Sequence, residues 1–217
     1  SSLPAGAIPF ADLETCRDEA AVLAALAQVT PDTIAKFLFT SGSTGTPKAV
    51  VNTQRMLCSN QQAKAMMWPF VKQQAPVLVE WLPWSHTFGS NHNFNMVLNW
   101  GGSLYLDEGK PVPGLLEKTV HNLREISPTM YFSVPRAYDM LVPFLRKDAV
   151  LRESFFRQLN FIFNAGAALP QHLWTAMQEL SATVPGNKTM LVSSWGSTET
   201  APMATDCHFQ ADKSGVV

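Results

Sequence analysis

Five short apolar runs, at 77–82, 103–106, 129–134, 161–164 and 190–194, alternate with stretches whose apolar residues recur at helical spacing. Those stretches lie at 54–68, 90–99, 114–126, 136–146, 149–158 and 170–183. An apolar run without polar alternation predicts a strand buried on both faces, and its natural cover is helices. The alternation therefore predicts an α/β fold: a doubly wound, mainly parallel sheet with helices on both faces. Pro113 and Pro170 are placed to open helices at their first turns. In the 54–68 helix, Met56, Leu57, Ala63, Met66 and Met67 form an apolar side that reads as core. A further helix is predicted at 15–29, behind a Pro- and Ala-rich surface segment at 1–14.

Charge excludes some partners. Lys and Arg number 16 against 17 Asp and Glu, charged residues are 15% of the 217, and no basic cluster exists. A nucleic-acid or membrane-surface partner is not expected from such a chain. The low charge suits a buried sheet, and equally a surface covered by further polypeptide. Cys16, Cys58 and Cys207 are dispersed and lack metal-ligand spacing, so reduced thiols in a cytoplasmic setting are expected. No signal peptide or membrane span is visible, and the start Ser1-Ser2-Leu3-Pro4 reads as the edge of an excised piece.

In open α/β sheets, ligands gather beyond the carboxyl ends of the strands. The unusual segments of this chain fall there. Between Phe37-Leu38-Phe39 and Ala49-Val50-Val51 runs Thr40-Ser41-Gly42-Ser43-Thr44-Gly45-Thr46-Pro47-Lys48, a tight connection between strands. Its bare backbone can wrap a polyanion, the hydroxyls of Thr40, Ser41, Ser43 and Thr44 add donors, and Lys48 adds a mobile charge. That is a cradle for the β- and γ-phosphates of ATP. A flexible linker would lack the apolar flanks. A Walker-type loop would need Gly-Lys-Ser/Thr opening a helix, whereas this lysine follows proline and precedes a β-branched run.

Three more turns complete the set. Trp195-Gly196-Ser197-Thr198-Glu199-Thr200 offers an aromatic face, a close backbone approach, a hydroxyl and a carboxylate. Glu199 suits a hard cation such as Mg2+, which keeps waters and takes one or two protein carboxylates beside phosphate oxygens. Its other reading is a first-turn acid stabilised by a helix dipole. Ala165-Gly166-Ala167-Ala168 could admit a planar base against bare backbone, or be only a tight connection. His86, between Trp84 and Phe88, reads as a pocket wall, and His92 as structural, with no metal-ligand pattern joining them.

Taken in order, the cradle, Leu82-Pro83-Trp84-Ser85-His86, Gly166-Ala167-Ala168 and Trp195-Gly196-Ser197-Thr198-Glu199 resemble the adenylate-forming enzymes. That superfamily includes acyl- and aryl-CoA synthetases, luciferases and peptide-synthetase adenylation domains. The resemblance spans 37–202, and its feruloyl-CoA synthetase branch is suggested by residues 51–62, 81–89, 92–95 and 198–202. It implies an ATP-dependent acid–thiol ligase that activates a hydroxycinnamate-like carboxylic acid as an acyl-adenylate and passes it to CoA. Thr40, Ser41, Gly42, Ser43, Thr44, Gly45 and Lys48 would hold the phosphates, and Thr198 the α-phosphate. Glu199 would bind Mg2+, and Trp195, Gly196, Gly166, Ala167 and Ala168 would enclose adenine. His86 would stand between acyl pocket and thiol tunnel. Lys48, His86, Thr198 and Glu199 are thus the expected catalytic set.

Two departures stand out. The family's Pro-Lys-Gly is here Pro47-Lys48-Ala49, and Ser85 replaces another polar residue. The resemblance further implies that 1–34 leads into a central ATP-binding part at 35–217 of a larger N-terminal domain. The remaining N-terminal subdomains and a C-terminal domain carrying the adenylating lysine would be its partners, and this piece alone would not complete thioester synthesis. A fatty-acyl or other acyl-CoA ligase, or a non-catalytic nucleotide-binding module, remain as alternatives.

Overall fold

A computed structural model describes residues 4, 6–40, 45–187, 189–209 and 211–217. The hairpin tip Ser41, Gly42, Ser43 and Thr44 lies outside the described residues.

Two short helices lead in: α1 at Phe10–Glu14 and α2 at Glu19–Leu26. The second is shorter than 15–29 because Asp18 caps it, its Oδ1 accepting the Ala21 N–H at 2.9 Å. Strands β1 (Ile34–Thr40) and β2 (Lys48–Thr53) pair antiparallel, with Thr40 opposite Lys48 and Leu38 opposite Val50. Helix α3 (Gln54–Met67) starts where β2 ends, because Thr53 Oγ1 accepts the Met56 N–H at 3.4 Å.

The central strands follow. β3 (Val77–Glu80) pairs parallel with β4 (Ser103–Leu106). β5 (Met130–Ser133), β6 (Phe161–Asn164) and β7 (Met190–Gly196) pair parallel in that order, and β8 (Met203–Asp206) closes antiparallel on β7. Thr129 joins the two groups: its N–H donates to Val77 O at 3.0 Å, and its Oγ1 accepts from Val77 N–H at 2.9 Å. The parallel core is as read from the sequence, while the β1–β2 hairpin and β8 supply antiparallel margins.

Alternation along these strands sends side chains to two layers. Tyr131, Ile162 and Leu191 pack with α5 (Leu116–Glu125), α6 (Pro135–Lys147), α7 (Ala149–Phe156) and α8 (Gln171–Ala182). Met130, Phe132, Phe161, Phe163 and Val192 face Trp68, Val71 and Met96 on the other side. Helices therefore cover both faces. Among the described residues no helix is long and apolar enough to cross a membrane.

Three local expectations are corrected. The 90–99 stretch is not one α-helix: a π-helix at Phe88–Phe94 runs into α4 (Asn95–Trp100), which ends on Gly101 at φ +66°. Pro113 and Pro170 stand just ahead of their helices; Pro170 is the N-cap of α8, its carbonyl accepting from Leu173 and Trp174. The third concerns α3. Its buried residues are Asn60, Gln61, Lys64 and Ala65, whereas Met66 is 80% exposed. The helix turns a polar face inward because that face bonds the segments beside the candidate site.

Candidate functional site

The turns after β3, β6 and β7 meet at one edge because parallel strands present their carboxyl ends together. They enclose a cleft of about 600 Å³, also bordered by Thr40 from the end of β1. Of the residues singled out from the sequence, Thr40, His86, Gly166, Ala167, Ala168, Trp195, Gly196, Thr198 and Glu199 all line it. Gly45, at φ +83° with open space around it, and Lys48, exposed and paired opposite Thr40, do not. Thr40 Oγ1 nevertheless reaches Lys48 O at 3.5 Å, so the lysine's backbone is tied to the cleft rim.

The turn after β7 is held by its own backbone. Ser197 N–H donates to Thr200 Oγ1 at 2.9 Å, and Thr200 N–H to Ser197 O at 3.1 Å. Thr200 Oγ1 also contacts Pro202 O, and Ala201 takes a left-handed φ of +64°. Asn60 on α3 clamps the turn from below, its Nδ2 donating to Thr200 O at 3.3 Å and Met203 O at 3.1 Å. This leaves Thr198 half-buried and Glu199 exposed at the cleft. The three-residue helical turn Thr198–Thr200 also packs against β2, so hairpin stem and carboxylate share one side of the molecule.

After β6, Gly166 adopts φ +86°, and its would-be Cβ would meet only Val134 at 3.6 Å. Backbone conformation, not space, requires glycine there. Asn164 Nδ2 pins the turn by donating to Ala167 O at 2.8 Å. His86 is exposed and accepts the Phe88 N–H on Nδ1 at 3.1 Å, which places the proton of its neutral ring on Nε2.

Behind the cleft lies a buried polar chain. Lys64 Nζ donates to His92 O at 2.8 Å, and Gln61 Nε2 to Asn91 O at 2.8 Å. Asn91 Nδ2 reaches Asn52 Oδ1 at 2.6 Å, and Asn93 Nδ2 reaches Glu80 Oε2 at 2.7 Å. His92 Nδ1 lies 2.7 Å from Asn93 Oδ1. Burial pushes the Lys64 ammonium well below its usual pKa. Burial, then the charge of Lys64, does the same to His92 against the opposing Asn93 contact. Asp206, bonded to Trp68 Nε1 at 2.8 Å, is raised by burial to about 7.

Glu80 carries a pH consequence. Burial pushes its carboxyl up to about 8, against the opposing Asn93 hydrogen bond, and its Oε1 has no partner among the described residues. Between the ordinary carboxylate value and about 8 the folded state keeps a proton that the unfolded chain has released. Glu80's own contribution to stability therefore falls as pH rises through that window, whereas Lys64 and His92, held below their ordinary values, contribute in the opposite sense. Comparing thermal denaturation of the full-length protein and Glu80→Gln from pH 5 to 9 isolates it: relative to the variant, the wild type should lose on the order of a few kcal/mol as pH rises. Identical pH profiles would refute the assignment.

Among the described residues no three His, Cys, Asp or Glu side chains gather as a metal cage. Among the described residues lining the cleft, Glu199 is the one carboxylate side chain; it is exposed and follows the Thr198 hydroxyl directly in the chain. That set fits a Mg2+ ion carried by a polyphosphate, which needs few protein ligands.

The sequence of this chain matches the family model described as "AMP-binding enzyme" over residues 6–216. The chain belongs to the AMP-binding enzyme family. It is 26% identical over 154 residues to a long-chain-fatty-acid–CoA ligase, ACSBG1, of Rattus norvegicus, covering 69% of this chain and 20% of that protein. It is 27% identical over 166 residues to the long-chain-fatty-acid–CoA ligase heimdall of Drosophila melanogaster, covering 76% and 24%. Its fold superposes with a TM-score of 0.66 on a malonyl-CoA ligase product complex with methylmalonyl-CoA and AMP, at 27% identity over 82% of this chain and 36% of the other. ATP-bound MatB from Rhodopseudomonas palustris gives 0.62 at 25% identity, covering 85% and 33%. The chain thus spans about a fifth of the length of the curated relatives it matches.

In this member of the AMP-binding enzyme family, Asn60 and Asn164 are residues at the site that the sequence left without a role, and His92, read as structural, also borders the cleft. Asn164 carries a legible signal, a lone amide at the end of an apolar strand directly before a glycine turn. Asn60 carries none, since its partners lie 140 and 143 positions away.

Proposed function

We propose that residues 35–217 are the nucleotide-binding core of an AMP-forming acid–CoA ligase, with 1–34 leading into it and further domains of the full-length chain completing the enzyme. One observation carries this reading: the end of the phosphate hairpin at Thr40 and the turn bearing Glu199 border the same cleft. Thr40, Gly45 and Lys48, together with Ser41, Gly42, Ser43 and Thr44 of the tip, would hold the β- and γ-phosphates of ATP. Thr198 would donate to the α-phosphate. The Gly166, Ala167 and Ala168 turn and the Trp195-Gly196 backbone would flank adenine.

In the first half-reaction an oxygen of the acid's carboxylate bonds to the α-phosphorus, and the bond to pyrophosphate breaks. In the second, the CoA thiol, losing its proton, attacks the acyl carbon and AMP leaves. The chain's contribution is orientation and fixed charge at the transferring phosphorus. Glu199 would hold Mg2+, which supplies neutralising charge on the phosphate oxygens. His86 would stand where acyl group and thiol meet. Dispersed thiols, with Cys16 and Cys58 exposed, suit a cytoplasmic setting.

A hydroxycinnamate-like acid is the substrate read from the sequence, and the aromatic lining by Phe88 and Phe163 favours a flat acyl group. A long-chain acid is the second reading, favoured by relatives named for that activity. Acid-dependent exchange of labelled pyrophosphate into ATP by the full-length protein, run with hydroxycinnamic and fatty acids, tests both. Exchange is expected to need acid and Mg2+; its absence with every acid would overturn the ligase reading.

A further inference from the structure

Asn60 is 7% exposed and stands two turns along α3 from Thr53, the last residue of the hairpin stem, about 10 Å away at the usual helical rise. Its Nδ2 donates to Thr200 O at 3.3 Å and to Met203 O at 3.1 Å. These carbonyls lie on either side of the bend at Ala201 and Pro202, so one amide holds both arms of the loop. The partners set the amide's orientation, because turned over it would press Oδ1 against two acceptor oxygens. The loop's remaining bonds are local: Ser197 N–H donates to Thr200 Oγ1 at 2.9 Å and to Pro202 O at 3.1 Å. Those bonds fix its shape. Among the described residues no other side chain from outside 197–203 hydrogen-bonds to it, so Asn60 is its tie to the helix that springs from the hairpin. Asn60 Oδ1 is buried with no partner among the described residues, a cost that an apolar side chain of the same size would not carry. What asparagine adds is the pair of donated bonds.

We propose that Asn60 is a positioning residue for the ligase reaction, holding the Glu199 carboxylate at a fixed distance from the phosphate hairpin. The inference rests on the ligase reading above. Thr198 and Glu199 directly precede the gripped carbonyl of Thr200 and border the cleft, so a shift of that carbonyl carries both with it. Asn60 itself is not among the residues that line the cleft, and its effect passes through the loop. Without its two bonds the loop keeps its local shape but loses its tie to α3. The carboxylate then no longer faces the hairpin at a single distance. Partners that orient a metal-binding carboxylate from behind are typically worth roughly 10- to 100-fold in metal affinity or activity.

The test is ATP binding by the full-length protein, measured by calorimetry with and without Mg2+ and below the Tm of each variant. Mg2+ should tighten binding by roughly 10-fold or more in the wild type, and by less than about threefold in Asn60→Leu, which has a similar size but donates nothing. Affinity without Mg2+ should differ by less than about twofold between the two, because the bonds lost do not reach the nucleotide. Asn60→Gln, which keeps the amide donor, should retain part of the Mg2+ effect. Glu199→Gln should lose the effect as well, and adding Asn60→Leu to it should remove nothing further, since both changes delete one interaction. Pyrophosphate exchange by Asn60→Leu should fall by roughly 10- to 100-fold in kcat at an unchanged KM for the acid. A full Mg2+ effect in Asn60→Leu, a further loss in the double variant, or no Mg2+ effect in the wild type would overturn the assignment and leave nucleotide binding standing. No ATP binding by the wild type would overturn the ligase reading with it. Should Asn60→Leu not fold, Asn60→Ala takes its place and the same outcomes decide.

Discussion

Gly196→Ala is expected to unfold the turn that carries Thr198 and Glu199. A Cβ at this position would stand 1.8 Å from Pro202 O, 2.8 Å from its carbonyl carbon and 3.3 Å from Met203 Cα. All three are backbone atoms, so no side-chain rotation relieves the clash. Gly196 pairs opposite Met203, and Ser197 N–H donates to Pro202 O at 3.1 Å. Parting the strands to admit a methyl group therefore breaks the junction of β7 and β8. A destabilisation of about 3 kcal/mol or more follows, read as a fall of several degrees in Tm of the full-length protein. Nucleotide binding should fall with it. A variant with wild-type Tm would show that the two backbones are not in contact.

Glu199→Gln should do the reverse, leaving the fold intact and removing the chemistry. The side chain is exposed, so its loss of charge touches no packing. Glutamine has nearly the same shape but cannot offer a charged oxygen to a hard cation. Pyrophosphate exchange should drop by about 10²- to 10³-fold, the usual effect of deleting one element of preorganised charge stabilisation. Tm should stay within about a degree, as for surface substitutions. If Glu199 were only an acid stabilising the start of its helical turn, the outcome would invert: a small loss of Tm and nearly unchanged exchange. The two measurements together separate the roles.

The fold was legible where apolar runs were short and uninterrupted. Phe161–Asn164 and Ser103–Leu106 are strands over the residues read from the sequence, because an apolar run of that length has few other stable uses. The clustering of the turns was legible for a topological reason, since parallel strands must place their carboxyl ends on one edge. What could not be read were interactions between distant residues. The π-helix depends on Gln61 and Lys64 bonding carbonyls 30 and 28 positions away, a dependence with no periodic signature. The inward polar face of α3 was hidden by its methionines, which suggested a greasy side where the structure exposes Met66. His92 read as structural in isolation because its contact with Asn93, itself bonded to Glu80 on β3, leaves no mark in the sequence pattern.

Helix α3 springs from Thr53, the last residue of the hairpin stem, and its inner face grips both the wide turn at Asn91 and His92 and the loop at Thr200. A single rod thus mechanically couples three regions: the hairpin stem, the π-helical turn and the loop after β7. Any shift of the stem must either be absorbed at the Thr53 joint or travel along that rod to the other two together.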